Sequence, residues 1–334
     1  MGNTKIEWAE KVWNPVTGCT KISQGCANCY AERMSKRFGE TWGLPVGDPF
    51  KVTMHPDRLE QPLRWNKPSK VFVCSMSDLF HDDVPDDFIM KTFEIMANAQ
   101  WTNGHRLLVL TKRPERMAKI IKAIEEDILE QRKPIKNSDG TTTHRMTFNF
   151  PLQNVWLGVT AENQEQADKR MPILLQILAA KRFVSVEPML GNVDLRTFST
   201  DGGAYYPLDG DVGVEGRGHC KGPKLDWVIC GGESGPGARP MHPDWVRSLR
   251  DQCQASGTPF LFKQWGEWAI ADIGNVDIAK KHFLISRQGK DETEKPIDQY
   301  SEGTKHMVFV GKKKAGRLLD GRVWDEYPAT TKEG

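Results

Sequence analysis

Three cysteines, Cys19, Cys26 and Cys29, fall within the stretch GCTKISQGCANCYAER (residues 18–33) at C-x6-C-x2-C spacing, with no fourth cysteine nearby. Thiolates are soft ligands, and three of them in one short segment of a reduced protein point to metal. Two centres suit the residue type. Structural zinc wants four closed ligands and would need a distant partner, His219 or Cys220, from a Gly-rich stretch. A [4Fe-4S] cluster held by three cysteines leaves one iron open. If the amino and carboxylate groups of S-adenosyl-L-methionine take that iron, one electron can cleave the sulfonium and release a 5′-deoxyadenosyl radical. Three cysteines are then a complete set.

The elements around the loop must position it. Residues 7–13 read as a first strand and 31–38 as a first helix. Six further apolar, β-rich runs follow: 70–78, 105–113, 154–163, 181–188, 225–234 and 258–268. They are continuous rather than alternating, as in strands buried on both faces of a parallel sheet. Helical periodicity fills the gaps. Ile89, Phe93 and Met96 share a face within 86–100. Pro114 opens a helix carrying Met117, Ile120, Ile121, Ile124 and Ile128. Asn163 caps another with Ala167, Met171, Leu174 and Leu178, which Pro172 should kink or restart. Pro243 opens one with Val246, Leu249 and Cys253 inward. The β-α alternation predicts a wound α/β fold.

In barrels of this type, functional groups follow the carboxyl ends of the strands. Those positions hold Ser75, Ser77 and Asp78; Thr111, Lys112 and Arg113; Thr160, Glu162 and Asn163; Glu187; Glu233 and Ser234; and Lys263, Gln264 and Trp265. Hydroxyl and ionisable groups at strand end after strand end mark a working face, with solvated loop ends as the plainer reading.

Composition sets the class. The 334 residues are 27% charged and 38% hydrophobic, as in a globular enzyme-sized protein. Neither a signal-like h-region nor an apolar run of membrane-spanning length occurs, so a cytoplasmic protein without membrane association is expected. Seven cysteines, four of them scattered, do not suit a disulfide framework. Net charge is only +2, but cations cluster at 105–136 and at Lys312, Lys313, Lys314, Arg317 and Arg322. Such clusters are solvated faces or phosphate-contacting surfaces. Residues 198–224 read as an inserted loop, and 269–334 as a small C-terminal extension to a main domain of 1–268.

NPVTGCTKISQGCANCYAER resembles the cluster loop of radical S-adenosylmethionine proteins, most closely the branch of spore photoproduct lyase and the DNA repair photolyase-like proteins. It carries three more residues between the first two cysteines than the common C-x3-C-x2-C. IEWAEKVWNPVTGCTKIS, CSMSDLF, LTKRPERM, LGVTAENQEQADKR, VSVEPMLG, WVICGGESGPGARPM, FKQWGEW and GKKKAGRLLDGRVWDEYP together resemble a phage-borne and prophage-borne, radical SAM-like family with a three-cysteine motif. The resemblance implies a partial (β/α)6 TIM-type barrel, a [4Fe-4S] cluster on Cys19, Cys26 and Cys29, and S-adenosyl-L-methionine. It implies Ser75, Ser77 and Asp78 as the grip on the methionine amino group, with capping of the loop as their plainer reading.

Around these, Tyr30 would sit by the cluster or adenine, or serve as a plain core aromatic. Thr160, Glu162 and Glu187 would meet ribose hydroxyls or a substrate cation. Lys112 and Arg113 would meet the methionine carboxylate or a substrate phosphate, and Glu233 adenosine or substrate, with a Gly-Gly turn as its alternative. Cys230, like Cys74, is either a thiol hydrogen donor or an inert buried residue.

The expected activity is that of a radical enzyme, of isomerase or lyase type, acting on a modified or damaged thymine in DNA. Its sharpest form is rearrangement of a hypermodified thymidine, with an external electron donor. Lys112, Glu187, Glu233 and Cys230 are the catalytic candidates. The competing expectation is a zinc- or cluster-stabilised nucleic-acid-binding protein without radical turnover. Oligomeric state leaves no mark in the sequence.

Overall fold

The computed structural model describes residues 4–136, 141–143, 148–200, 203–214, 218–271 and 281–329. Contacts sort the chain into two compact units. One comprises Met1–Thr20, Ala31–Val159 and Ile173–Arg182; the other comprises Lys21–Tyr30, Thr160–Pro172 and Phe183–Gly334.

In the first unit, β1 (Lys11–Trp13), β2 (Lys70–Val73), β3 (Arg106–Thr111) and β4 (Val155–Thr160) pair in parallel. Every residue of β4 is buried, which is why this strand reads as an unbroken apolar run. Helices α1 (Tyr30–Phe38), α2 (Asp86–Asn103) and α3 (Pro114–Gln131) lie between strands. Ile89, Phe93 and Met96 of α2, and Met117, Ile120, Ile121 and Ile124 of α3, are buried as their spacing predicts. Ile128 is only half-buried.

In the second unit, β5 (Lys181–Val186), β6 (Trp227–Gly231) and β7 (Phe260–Gln264) are also parallel. The Asn163 side chain accepts from the Gln166 amide at 3.0 Å and caps α4 (Gln164–Gln176). Pro172 lies inside α4 without restarting it, and the helix stops before Leu178, which is exposed. Pro243 is the first residue of α5 (Pro243–Ser256), whose Val246, Leu249 and Cys253 are buried.

The expected partial (β/α)6 barrel is not what forms. The first unit pairs its parallel strands in the order β1-β2-β3-β4 and the second in the order β5-β6-β7, seven strands in all rather than six. Here the outer edge of β7 is taken by the C-terminal segment: the Phe262 amide donates to the Trp324 carbonyl (2.9 Å), the Glu326 amide donates to the Phe260 carbonyl (3.2 Å), and Leu261 bridges Asp325. The first strand, β1, adds a seventh to the six apolar runs.

The 198–224 insertion carries a four-stranded antiparallel sheet of Phe198–Thr200, Gly203–Tyr206, Asp211–Val214 and Gly218–Lys221. Within 269–334, His282–Ile285 and Lys305–Phe309 pair antiparallel, and Trp268–Ile270 joins the same sheet. Residues 201–202, 215–217, 272–280 and 330–334 of these two segments lie outside the described residues. Among the described residues, no helix is long and apolar enough to cross a membrane.

Candidate functional site

In the first unit, Cys19 is placed by a tight crossing. Gly18 has φ +82°, and a Cβ on it would lie 2.2 Å from the Lys51 carbonyl oxygen, so glycine is required. The Gly18 amide donates to the Met76 carbonyl (3.0 Å) and the Cys19 amide to the Phe50 carbonyl (3.2 Å). Opposite, Cys74 directly follows β2, and its φ of 58° is left-handed, a conformation that non-glycine residues seldom adopt. This kink swings residues 75–78 back toward the Cys19 segment. Ser75 Oγ donates to Asn14 Oδ1 (3.2 Å) and Ser77 Oγ to the Val16 carbonyl (2.9 Å). Both hydroxyls thus brace the chain beside Cys19.

Asp78 is buried and fully engaged. Its Oδ1 accepts from Thr111 Oγ1 (2.7 Å) and the Phe80 amide (3.0 Å), and its Oδ2 from the Lys112 amide (3.0 Å) and Arg113 (3.3 Å). Arg113, itself buried, directs Nη1 to Cys19 Sγ at 3.6 Å and Nη2 to Thr20 Oγ1 at 3.0 Å. Burial alone would lower the Arg113 pKa, but Asp78 and then Cys19 outweigh it and raise it. A thiolate at Cys19 therefore has a fixed guanidinium beside it. Burial, with Arg113 second, lowers the His81 pKa. The Asp83 amide donates to His81 Nδ1 (3.1 Å), so the ring proton sits on Nε2 and is donated to Thr20 Oγ1 (2.8 Å). The Lys112 ammonium has no partner among the described residues.

In the second unit, the loop carrying Cys26 and Cys29 is held by two buried carboxylates. Glu162, wholly inaccessible, accepts from the Gly25 amide through Oε1 (3.0 Å) and from Arg170 through Oε2 (2.9 Å). Burial would raise its pKa, but Ser23, Arg170 and the Gly25 amide together lower it. Glu233 accepts from Asn28 Nδ2 (3.0 Å) and from Arg239, whose Nη2 reaches Oε1 at 2.6 Å and whose Nε reaches Oε2 at 2.8 Å. Arg239 Nη2 also donates to the Gln24 carbonyl (3.0 Å), and Asn28 Nδ2 to the Gly237 carbonyl (2.8 Å). Arg239 and Asn28 hold the Glu233 pKa low against its burial. Ser23 Oγ lies 3.8 Å from Cys26 Sγ.

The sequence candidates therefore separate by role. Glu162 and Glu233 spend their oxygens on the cysteine loop, and Thr160 is buried with its carbonyl accepting from Arg170 (2.8 Å). Glu187 pairs with Lys263 at 2.7 Å, and both remain partly accessible. Cys230 is fully buried against Met189 Sδ (3.6 Å), with its thiol pushed well above its ordinary pKa by burial. Burial likewise pushes Cys74 up to about 12. Both stay neutral thiols. Tyr30 is exposed, so it is not a core aromatic.

Cys19, Cys26 and Cys29 are in no disulfide among the described residues and are of intermediate exposure, a donor set that suits an iron-sulfur cluster in kind and number. Among the described residues, no three His, Cys, Asp or Glu side chains are gathered as a metal-holding group. His219 and Cys220, the distant partners zinc would need, lie on the last strand of the four-stranded sheet.

Sequence reasoning did not single out Thr20, Asn28, His81, Arg170 or Arg239. Arg170, on α4, stands eight residues after Glu162, and Arg239 six after Glu233 across a Gly-rich turn; acid-to-arginine spacing could have flagged both.

An α/β protein with parallel strands and a three-cysteine loop braced by buried carboxylates is the class that these features define. The chain belongs to the DUF5131 family, described as proteins of unknown function, whose profile matches residues 3–328. No curated protein and no solved structure matches it.

Proposed function

We propose that this protein is a radical enzyme in which Cys19, Cys26 and Cys29 hold a [4Fe-4S] cluster and S-adenosyl-L-methionine takes the open iron. The observation that carries the reading is the set of three part-exposed cysteines within eleven residues, in a loop whose Cys26–Cys29 part the chain's own carboxylates hold in place. When bound, the cluster supplies one electron to the sulfonium, which yields 5′-deoxyadenosine after hydrogen abstraction from substrate. The reading rests on this loop and not on a six-stranded partial barrel.

The protein's own groups have separate tasks. Arg113 places a cation beside Cys19, and Asp78 fixes Arg113. Glu162 and Glu233 define the path of the Cys26–Cys29 segment. Lys112, without a partner among the described residues, and the accessible Glu187–Lys263 pair are left to meet anionic and polar parts of cofactor or substrate. A modified or damaged thymine in DNA is the proposed substrate, with rearrangement of a hypermodified thymidine as its sharpest form. The reaction would take place in a reducing cytoplasm with an external electron donor.

Anaerobic reconstitution with iron and sulfide, followed by dithionite and S-adenosyl-L-methionine, should release 5′-deoxyadenosine. An intact cluster that releases none contradicts the proposal.

A further inference from the structure

The cations of residues 105–136, which in the sequence read as either a solvated face or a phosphate-contacting surface, are largely committed elsewhere. Arg113 pairs with Asp78, Arg116 and Lys119 with Asp86, Lys122 with Glu126, Lys133 with Glu130, and Arg106 lies over the Trp156 ring. The second cluster is different. Lys312, Lys313 and Lys314 form one exposed turn (Lys312–Ala315), and Lys313 and Lys314 have no acidic partner among the described residues. Arg317 and Arg322, by contrast, are paired to Asp325 and Glu326.

Within the second unit this turn is fastened to the same strand ends as the cysteine loop. Glu267 Oε2 accepts from the Lys312 amide (2.9 Å) and its Oε1 from the Gly235 amide (2.6 Å). The Glu267 carbonyl accepts from the Val310 (2.9 Å) and Gly311 (3.0 Å) amides, and the Trp265 amide donates to the Gly316 carbonyl (3.1 Å). The Glu267 amide in turn donates to the Glu233 carbonyl (3.2 Å), and the Glu233 side chain holds Asn28, next to Cys29. Gly266 makes this approach feasible: a Cβ there would lie 2.2 Å from the Glu233 carbonyl oxygen. A short chain of hydrogen bonds thus ties the lysine turn to the cysteine segment, and the Glu267 carboxylate is spent on backbone amides.

We propose that the Lys312–Lys314 turn grips the phosphate backbone of the DNA strand whose base is presented to the cysteine-bearing rim. Successive flexible ammonium groups suit a repeating, sequence-independent array of phosphates. A single small anion would instead call for a converging, buried site. The inference builds on the proposed activity on DNA and adds where the strand is held.

The test is fluorescence anisotropy of a labelled DNA duplex with anaerobically purified full-length protein over a salt series. The double variant Lys313→Glu/Lys314→Glu should bind about tenfold or more weakly and flatten the log affinity–log salt slope by about 2, since each lost phosphate contact removes about 0.9. Its iron content and melting temperature should match the parent. Lys122→Glu, a charge change of the same kind in the other basic stretch, should leave the slope unaltered. Unchanged affinity and slope in the double variant, or no DNA binding by the parent, overturns the inference. 5′-Deoxyadenosine release without a lysine-dependent slope defeats this inference alone. Lysine-dependent DNA binding with no 5′-deoxyadenosine defeats the radical reading alone.

Discussion

Glu162 Oε1 accepts a hydrogen bond from the Gly25 amide at 3.0 Å, across 137 residues of sequence. This contact joins the end of β4 to the turn that precedes Cys26, and the opposite oxygen is held by Arg170. A carboxylate that is wholly buried persists there because both of its oxygens are satisfied and a guanidinium balances its charge. The loop path is therefore set by protein groups as well as by any metal it holds.

Glu162→Gln removes the charge that balances buried Arg170. Breaking one side of a buried pair costs about 3–5 kcal/mol. Urea unfolding should show this loss, and trypsin should cut faster after exposed Lys21 in the loosened loop. A loss below about 1 kcal/mol, within the range of surface pairs, would show that Arg170 finds another partner.

Acid should expose both clamps. The folded pKa values of Glu162 and Glu233 lie below the ordinary carboxylate value, so the unfolded chain binds protons first as pH falls. Their stabilisation is complete well above the unfolded value of about 4.3 and is lost as pH drops through the folded values. Unfolding free energy measured from pH 7 to 3 should hold down to about pH 5 and then fall, and Glu233→Gln should shallow that fall. An equally steep fall in the variant would assign the acid sensitivity to other groups.

Gly18→Ala places a methyl group against the Lys51 carbonyl at a left-handed backbone position. The combined strain and overpacking amount to about 2–5 kcal/mol. Melting temperature should fall and iron retention with it. Gly321→Ala is the informative control: it shares a positive φ, but its added methyl meets nothing within 4 Å, so it should lose only the smaller conformational part.

Removing residues 324–334 strips the hydrogen-bonding partners from β7 and leaves its edge open. Open edges recruit other chains. Light scattering after size exclusion should show concentration-dependent association of the truncated chain; a monodisperse truncated chain would mean that the edge is protected in another way.

Much of this architecture is legible in the sequence because parallel strands buried on both faces leave continuous apolar runs. β4, VWLGVT, is the clearest case. Helix starts at Pro114, Asn163 and Pro243 are equally plain, since capping and proline geometry are local. What covers the outer edge of β7 is not local. The Trp324–Glu326 segment pairs there from more than fifty residues away, and the short strands of the insertion give too few repeats to show a period of two. Glu162 and Glu233 stand out from sequence as polar groups at strand ends, but ligand-binding and loop-clamping glutamates look alike until Gly25, Asn28 and Arg239 are seen beside them. Asp78 is the same case, with both oxygens spent on Phe80, Thr111, Lys112 and Arg113.

The central claim concerns Cys19, Cys26 and Cys29, and a visible absorption spectrum with metal analysis of anaerobically purified protein reaches it most directly. Iron and sulfide with a broad iron-sulfur absorbance, lost in Cys29→Ala while the fold is kept, is the predicted result. One zinc per chain with no iron or sulfide would contradict it and favour the zinc-stabilised nucleic-acid-binding protein.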